Sequence, residues 1–184
     1  MNEVLTRTEE KMKKTLKTLE HDFQSLRTGR ASAGMFEKIR VNYYGQETPL
    51  SQVASVSVPE ARLVVIQPWD KGLLNEIERA IQKSELSLNP NSDGRIIRIN
   101  IPPLTEDRRK DLVKHAKQIA EQSKVSLRNV RRDGNEDLKK LEKAKEISED
   151  DLKLATTKIQ ELIDGYVKQV DEMLSKKETE ILEV

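Results

Sequence analysis

Three stretches of this chain space their apolar residues at alternating steps of three and four, a pattern that dictates helices packed side by side. The first stretch is Leu5, Thr8, Met12, Leu16, Leu19, Phe23 and Leu26, and it predicts a helix over 2–28 with Gly29 as its stop. The second is Val113, Ala116, Ala120, Ser123, Leu127, Val130, Gly134, Leu138 and Leu141. Ser123 and Gly134 weaken it. A glycine costs about 1 kcal/mol relative to alanine in a helix interior, so a break or bend at Gly134 is an open alternative. The third is Leu152, Ala155, Ile159, Leu162, Tyr166, Val170 and Met173, with Ile181 near its end. Ser148 followed by Asp151 resembles a capping box, and Glu149, Asp150 and Asp151 suit the positive end of a helix dipole. No stripe of this kind can bury itself alone, and at about 1.5 Å per residue the helices would be rods of roughly 40 Å or more. Charged residues make up 35% of the chain and aromatics 3%, which suits narrow buried stripes better than one thick core.

The texture between the first two helices is different. Ile39, Val41 and Tyr43 alternate with polar residues before a Tyr44-Gly45 turn. Val53 to Val58 and Leu63 to Ile66 are further strand-like runs separated by Pro59, and Ile97, Ile99 and Ile101 alternate as a last strand. Leu73, Ile77, Ala80 and Ile81 predict one short helix, while Asn89 to Gly94 is dense in turn formers. The fold class that follows is α+β: a long three-helix bundle from 1–30 and 105–184, with a small, β-rich α/β domain (31–104) inserted between helices one and two. The chain crosses between them near Arg30-Ala31 and near Pro102-Pro103-Leu104, and paired crossings of that kind can act as a hinge. Thr105 is placed to cap the second helix.

The net charge of +1 by itself predicts no polyanionic partner, and its distribution says more. Residues 105–132 carry +5 (nine Lys and Arg against four Asp and Glu), whereas 133–184 carry −6 (nine against fifteen). A short basic segment in a nearly neutral chain is a patch, and patches steer binding. On a helix, Lys110, Lys114, Lys117, Lys124, Arg128, Arg131 and Arg132 fall on one side, and the expectation is that this side faces solvent, away from the stripe of Ala120 and Leu127. A guanidinium pairs bidentately with phosphate and stacks on bases, which suits RNA recognition better than a lysine would. An ordinary solvated face is the bland alternative. Arg27 and Arg30 could extend the basic surface, or could simply complement the helix C-terminus that Gly29 closes.

Several function classes are excluded or disfavoured. The chain has no cysteine, so it has no disulfide framework and no Cys-based metal site. No run approaches the roughly 18 apolar residues of a membrane span, and a cytoplasmic protein is expected. His21 and His115 are the only histidines, each mid-helix with no orienting partner in view. The glycines make no phosphate-loop or dinucleotide spacing, and the carboxylates do not cluster with histidine at metal-ligand intervals. Trp69 could dock a partner, though a lone Trp near a strand end is more often core. The expectation is no catalytic site, no metal and no cofactor.

Six segments, taken in order, carry a resemblance: Leu26-Arg27-Thr28-Gly29-Arg30-Ala31-Ser32, Tyr43-Tyr44-Gly45, Leu88-Asn89-Pro90-Asn91, Pro102 through Lys110, Arg128-Asn129-Val130-Arg131-Arg132-Asp133, and Lys145 through Asp151. Together they resemble the bacterial-type ribosome recycling factor family from the first helix to the third. The resemblance implies an L-shaped, tRNA-sized monomer with a three-helix domain and a hinged α/β domain. It implies binding to the post-termination ribosome through large-subunit ribosomal RNA, and subunit separation driven by elongation factor G and its GTP. It carries RNA contact to Arg128, Arg131 and Arg132, with Arg131 foremost, and less directly to Arg27 and Arg30; Lys117 and Lys124 join the candidates as part of the basic side. The competing reading is a helical adaptor or chaperone-like protein that docks another helix bundle, and steep weakening of binding by salt would separate the two.

Overall fold

The computed structural model describes residues 1–26 and 28–183. The chain divides into two compact units, one of Met1–Thr28 with Glu106–Glu183 and one of Gly29–Thr105.

The first unit is three helices. Helix α1 spans Asn2–Ser25, and its buried face is Val4, Thr8, Met12, Leu19 and Phe23. It ends earlier than the seam pattern suggests, because Leu26 turns extended and Gly29 takes a positive φ of 79°. Two longer helices, the fourth and fifth in chain order, are α4 (Glu106–Lys143) and α5 (Glu149–Leu182); they run antiparallel and pack on each other and on α1. At about 1.5 Å per residue they are about 57 and 51 Å long. The buried stripe of α4 is Leu112, Ala116, Ala120, Ser123, Leu127, Gly134 and Leu138.

Gly134 does not break this helix, which is continuous through it. A Cβ added there would stand 2.7 Å from Thr8 Oγ1 and 3.1 Å from Ile159 Cδ1. The glycine therefore marks a close approach of three helices, and its propensity cost is offset by that approach. The turn into the third helix is a Schellman arrangement. Lys145 sits at φ 60°, its N–H donates to Glu142 O at 2.9 Å, and Glu146 N–H donates to Leu141 O at 2.9 Å. Ser148 and Asp151 then complete a reciprocal capping box, at 3.1 and 3.2 Å.

The second unit holds the strands. Strands β1 (Arg40–Tyr43) and β2 (Gln46–Pro49) form a hairpin whose turn residues, Tyr44 and Gly45, both have positive φ. That conformation suits the twist of a two-residue hairpin, and the Asn42 side chain accepts from Gly45 N–H at 2.9 Å. A single turn of helix, α2 (Leu50–Val53), leads into β3 (Ala54–Glu60) and β4 (Leu63–Pro68). Helix α3 (Leu74–Lys83) precedes β5 (Pro90–Ser92) and β6 (Ile97–Asn100). The four-stranded sheet is antiparallel in the order β3-β4-β6-β5. Val64 opposite Ile99 and Ile66 opposite Ile97 supply its buried face, completed by Phe36, Leu50 and Ile77.

Several sequence expectations are corrected here. Pro59 does not end a strand. It lies within β3, an edge strand, where the register with β4 shifts between Ser57 and Glu60, and an edge bulge needs no N–H from it. Pro90 to Ser92 is likewise strand rather than turn, with Pro90 at the first position of the other edge. The turn itself runs from Asp93 to Ile96, where the Asp93 carboxylate accepts from Ile96 and Arg95 N–H at 3.0 and 2.9 Å; those two bonds hold its pKa below the usual aspartate value. Trp69 is 68% exposed, and Phe36 occupies the aromatic place in the core.

Candidate nucleic-acid interface

The basic row of α4 begins from helix geometry. Lys124 and Arg131 each follow a fully buried residue, Ala120 and Leu127, by four positions, which places them only about 40° around the helix from the stripe. Arg128 and Arg132 fall one and five positions after Leu127, about 100° and 140° around. The row is thus not uniformly solvent-facing as the sequence suggests. Its inner members flank the stripe and meet α5.

The contacts follow that split. Lys124 Nζ lies 2.5 Å from Asp171 Oδ1 and its side chain keeps only 22% of its exposure. Lys117 Nζ lies 3.9 Å from Glu178 Oε1. Arg131 is half-buried and its Nη1 donates to Gln160 Oε1 at 3.3 Å. The outer members stay on their own helix. Arg128 pairs with Glu121 at 3.0 Å, with both side chains about half exposed. Arg132 donates to Asn129 Oδ1 at 2.8 Å and is exposed. Lys110 pairs with Glu106 at 2.8 Å in the first turn of the helix.

An exposed ion pair contributes about 0–1 kcal/mol, so phosphate can displace the Arg128–Glu121 contact at little cost. The Lys124–Asp171 contact is more enclosed and less available. What α4 offers a polyanion is therefore mainly Arg128, Arg131 and Arg132, clustered within about one and a half turns. The acidic partners Asp171 and Glu178 on α5 were legible in principle: with Asp164 they repeat at the same heptad interval as Lys117, Lys124 and Arg131. Reading each helix alone hides that match.

Arg30 is exposed, and Arg27 lies outside the described residues. The neighbouring Thr28 is buried and donates to Glu180 Oε1 at 3.4 Å, while Lys177 reaches Glu180 Oε2 at 3.2 Å. Of the hinge candidates, Ala31 is tied into the small unit by its N–H to Ala61 O at 2.7 Å. Pro102 and Pro103 are exposed and Leu104 is half-buried.

Among the described residues, no three His, Cys, Asp or Glu side chains are grouped to hold a metal ion, and no helix is long and apolar enough to cross a membrane. His21 and His115 are exposed. A groove beside α1 and α5 is lined by Leu5, Thr6, Glu9, Lys158, Glu161 and Leu162. Tyr166, at the edge of that packing, has its hydroxyl 3.5 Å from Glu9, and burial followed by the Glu9 charge raises its pKa.

The fold is of the class that combines a three-helix bundle, here with a guanidinium cluster on one rod, with a small α/β unit inserted in its sequence. The family model for ribosome recycling factor matches residues 19–182, and the chain belongs to that family. The ribosome-recycling factor of Treponema denticola is 59% identical, with 100% of this chain and 99% of that protein covered. That of Alkaliphilus metalliredigens is 58% identical, covering 99% and 98%. A solution structure of a ribosome recycling factor superposes with a TM-score of 0.75 at 40% identity, covering 100% of this chain and 97% of the other. The T. thermophilus factor, in models of it and E. coli elongation factor G bound to the E. coli post-termination complex, gives a TM-score of 0.63 at 45% identity, with 98% of each covered.

Proposed function

We infer that this chain is a ribosome recycling factor that binds the post-termination ribosome and, with elongation factor G, separates its subunits. The observation that carries this reading is near-identity in length, together with 59% sequence identity, to a factor of that name. A relative at 45% identity is placed with elongation factor G on the post-termination complex.

The helical unit supplies the ribosomal contact, and large-subunit RNA is its target. Arg128, Arg131 and Arg132 pair with backbone phosphates, which fixes position and reads little base sequence. Lys117 and Lys124 serve chiefly to hold α5 against α4, with phosphate contact secondary. Arg30, and Arg27 outside the described residues, add positive charge after α1. The residues at the two crossings, Arg30, Ala31, Pro102, Pro103 and Leu104, are the pivots of the chain. GTP hydrolysis belongs to the elongation factor, so the chain acts as a cytoplasmic binding factor and needs no active site of its own.

The test is subunit splitting. Post-termination ribosomes given this protein, elongation factor G and GTP should lose light scattering as subunits separate, and omission of any one component should abolish the change. Scattering that stays constant with all three present would overturn the reading.

A further inference from the structure

We propose that Gln160 is a positioning residue for Arg131: it tethers the guanidinium through a neutral amide, so that Arg131 is held in place with its charge intact for a phosphate. The inference rests on the reading of Arg131 as an RNA contact and adds a residue on α5 to that site.

The reason lies in the register of the two long helices. Lys117 faces Glu178 and Lys124 faces Asp171, one heptad apart on each antiparallel helix. Carried one heptad further, the ladder sets Arg131 opposite Asp164. The structure departs from the ladder at this rung. Arg131 Nη1 donates instead to Gln160 Oε1 at 3.3 Å, and Gln160 Nε2 donates to Asp164 Oδ1 at 2.8 Å. Gln160 and Asp164 are one turn apart on the same face of α5, and the amide stands between the cation and the carboxylate.

An amide has two unlike ends. The Asp164 carboxylate can only accept, so it takes the NH2 end and leaves the carbonyl end turned to Arg131. Asp164 thereby fixes the polarity of the tether. A carboxylate in direct contact would hold the guanidinium too, but at the half-buried Arg131 such a pair is screened less than the exposed Arg128–Glu121 pair, so it would offset the charge that a phosphate must meet. Gln160 occupies one of the five guanidinium donors and contributes no charge. The two lysine rungs are ion pairs, close at Lys124 and loose at the exposed Lys117, whereas the arginine rung is made without an opposite charge.

Filter binding of the full-length protein to purified large ribosomal subunits, across a salt series, tests this. Arg131→Ala should weaken binding about tenfold and flatten the slope of log K against log salt by about 0.7–0.9, the value of one phosphate contact. Gln160→Glu preserves length and acceptor while placing a carboxylate on Arg131, and it should reproduce most of both losses. Gln160→Ala should weaken binding less, with an unchanged slope. To remove repulsion between the introduced carboxylate and Asp164 as a cause, Gln160→Glu is repeated with Asp164→Asn and must show the same flattened slope. Should Arg131→Ala weaken binding while Gln160→Glu in either background binds like the parent, the positioning role is wrong and the RNA contact stands. Should Arg131→Ala itself bind like the parent, the contact is wrong and the positioning role falls with it.

Discussion

Along α4 the fully buried side chains are Ala116, Ala120, Leu127 and Leu138, with Ser123 and Gly134 between them, whereas the sheet unit buries Phe36, Val64, Ile66, Ile77, Ile97 and Ile99. Around Ala116, Ala120, Ser123 and Gly134 the helices approach closely over small residues, between larger buried side chains such as Met12, Leu19, Leu127 and Ile159. The sheet unit fills space with branched and aromatic volume between layers. The difference teaches where each is vulnerable: the small-residue seam of α4 to added volume, the sheet core to lost volume. It also explains why the rods can carry so much charge, since a narrow stripe leaves most of each helix surface for ionic side chains.

The largest effect expected from that contrast is in the sheet unit. Phe36→Ala should cost about 3–5 kcal/mol, seen as loss of amide protection in β4 and β6 with the long helices unaffected. Equal loss of protection in α4 would show that the two cores do not behave separately. Added volume should then strike the bundle. Gly134→Ala places a Cβ against Thr8 and Ile159 and should destabilise by about 1–3 kcal/mol in urea unfolding, despite the better helix propensity of alanine.

Smaller effects sharpen the same contrast. Ser148→Ala removes the capping box of α5 and should cost about 1 kcal/mol by the same assay. Gly165 lies within α5, and a Cβ added there would meet nothing within 4 Å, so Gly165→Ala should stabilise by about 0.5–1 kcal/mol. Opposite signs for the two glycines distinguish close approach from mere helix weakness. The same sign for both would remove the packing explanation of Gly134.

The periodic parts of the fold were the legible ones. Met12, Leu19, Ala120, Leu127, Ile159 and Val170 lie in the core where the three-four spacing sets them, and Ser148 with Asp151 marks the start of α5 to the residue. What the sequence hides is whatever depends on a neighbour. Val4, Leu112 and Ile163 are buried beside the expected Leu5, Val113 and Leu162, because the exact angle of a stripe is set by which helix packs on it. Pro59 and Pro90 read as breakers until the sheet order shows that β3 and β5 are edges. The site divides in the same way. Arg128 and Arg132 lie outward as their positions imply, but the turn of Lys124 and Arg131 toward α5 needs the antiparallel register of two helices to be seen.

That split within the basic row is the claim on which the ribosomal contact depends, and large-subunit affinity over a salt series tests it in one measurement. Compared with the parent, Arg128→Ala, Arg131→Ala and Arg132→Ala combined should bind on the order of a hundredfold or more weaker, with the salt slope flattened by about two to three phosphate contacts. Lys117→Ala with Lys124→Ala should keep most of the parent slope. An arginine variant with the parent slope, or a lysine variant that loses as much as the arginine one, would contradict the account.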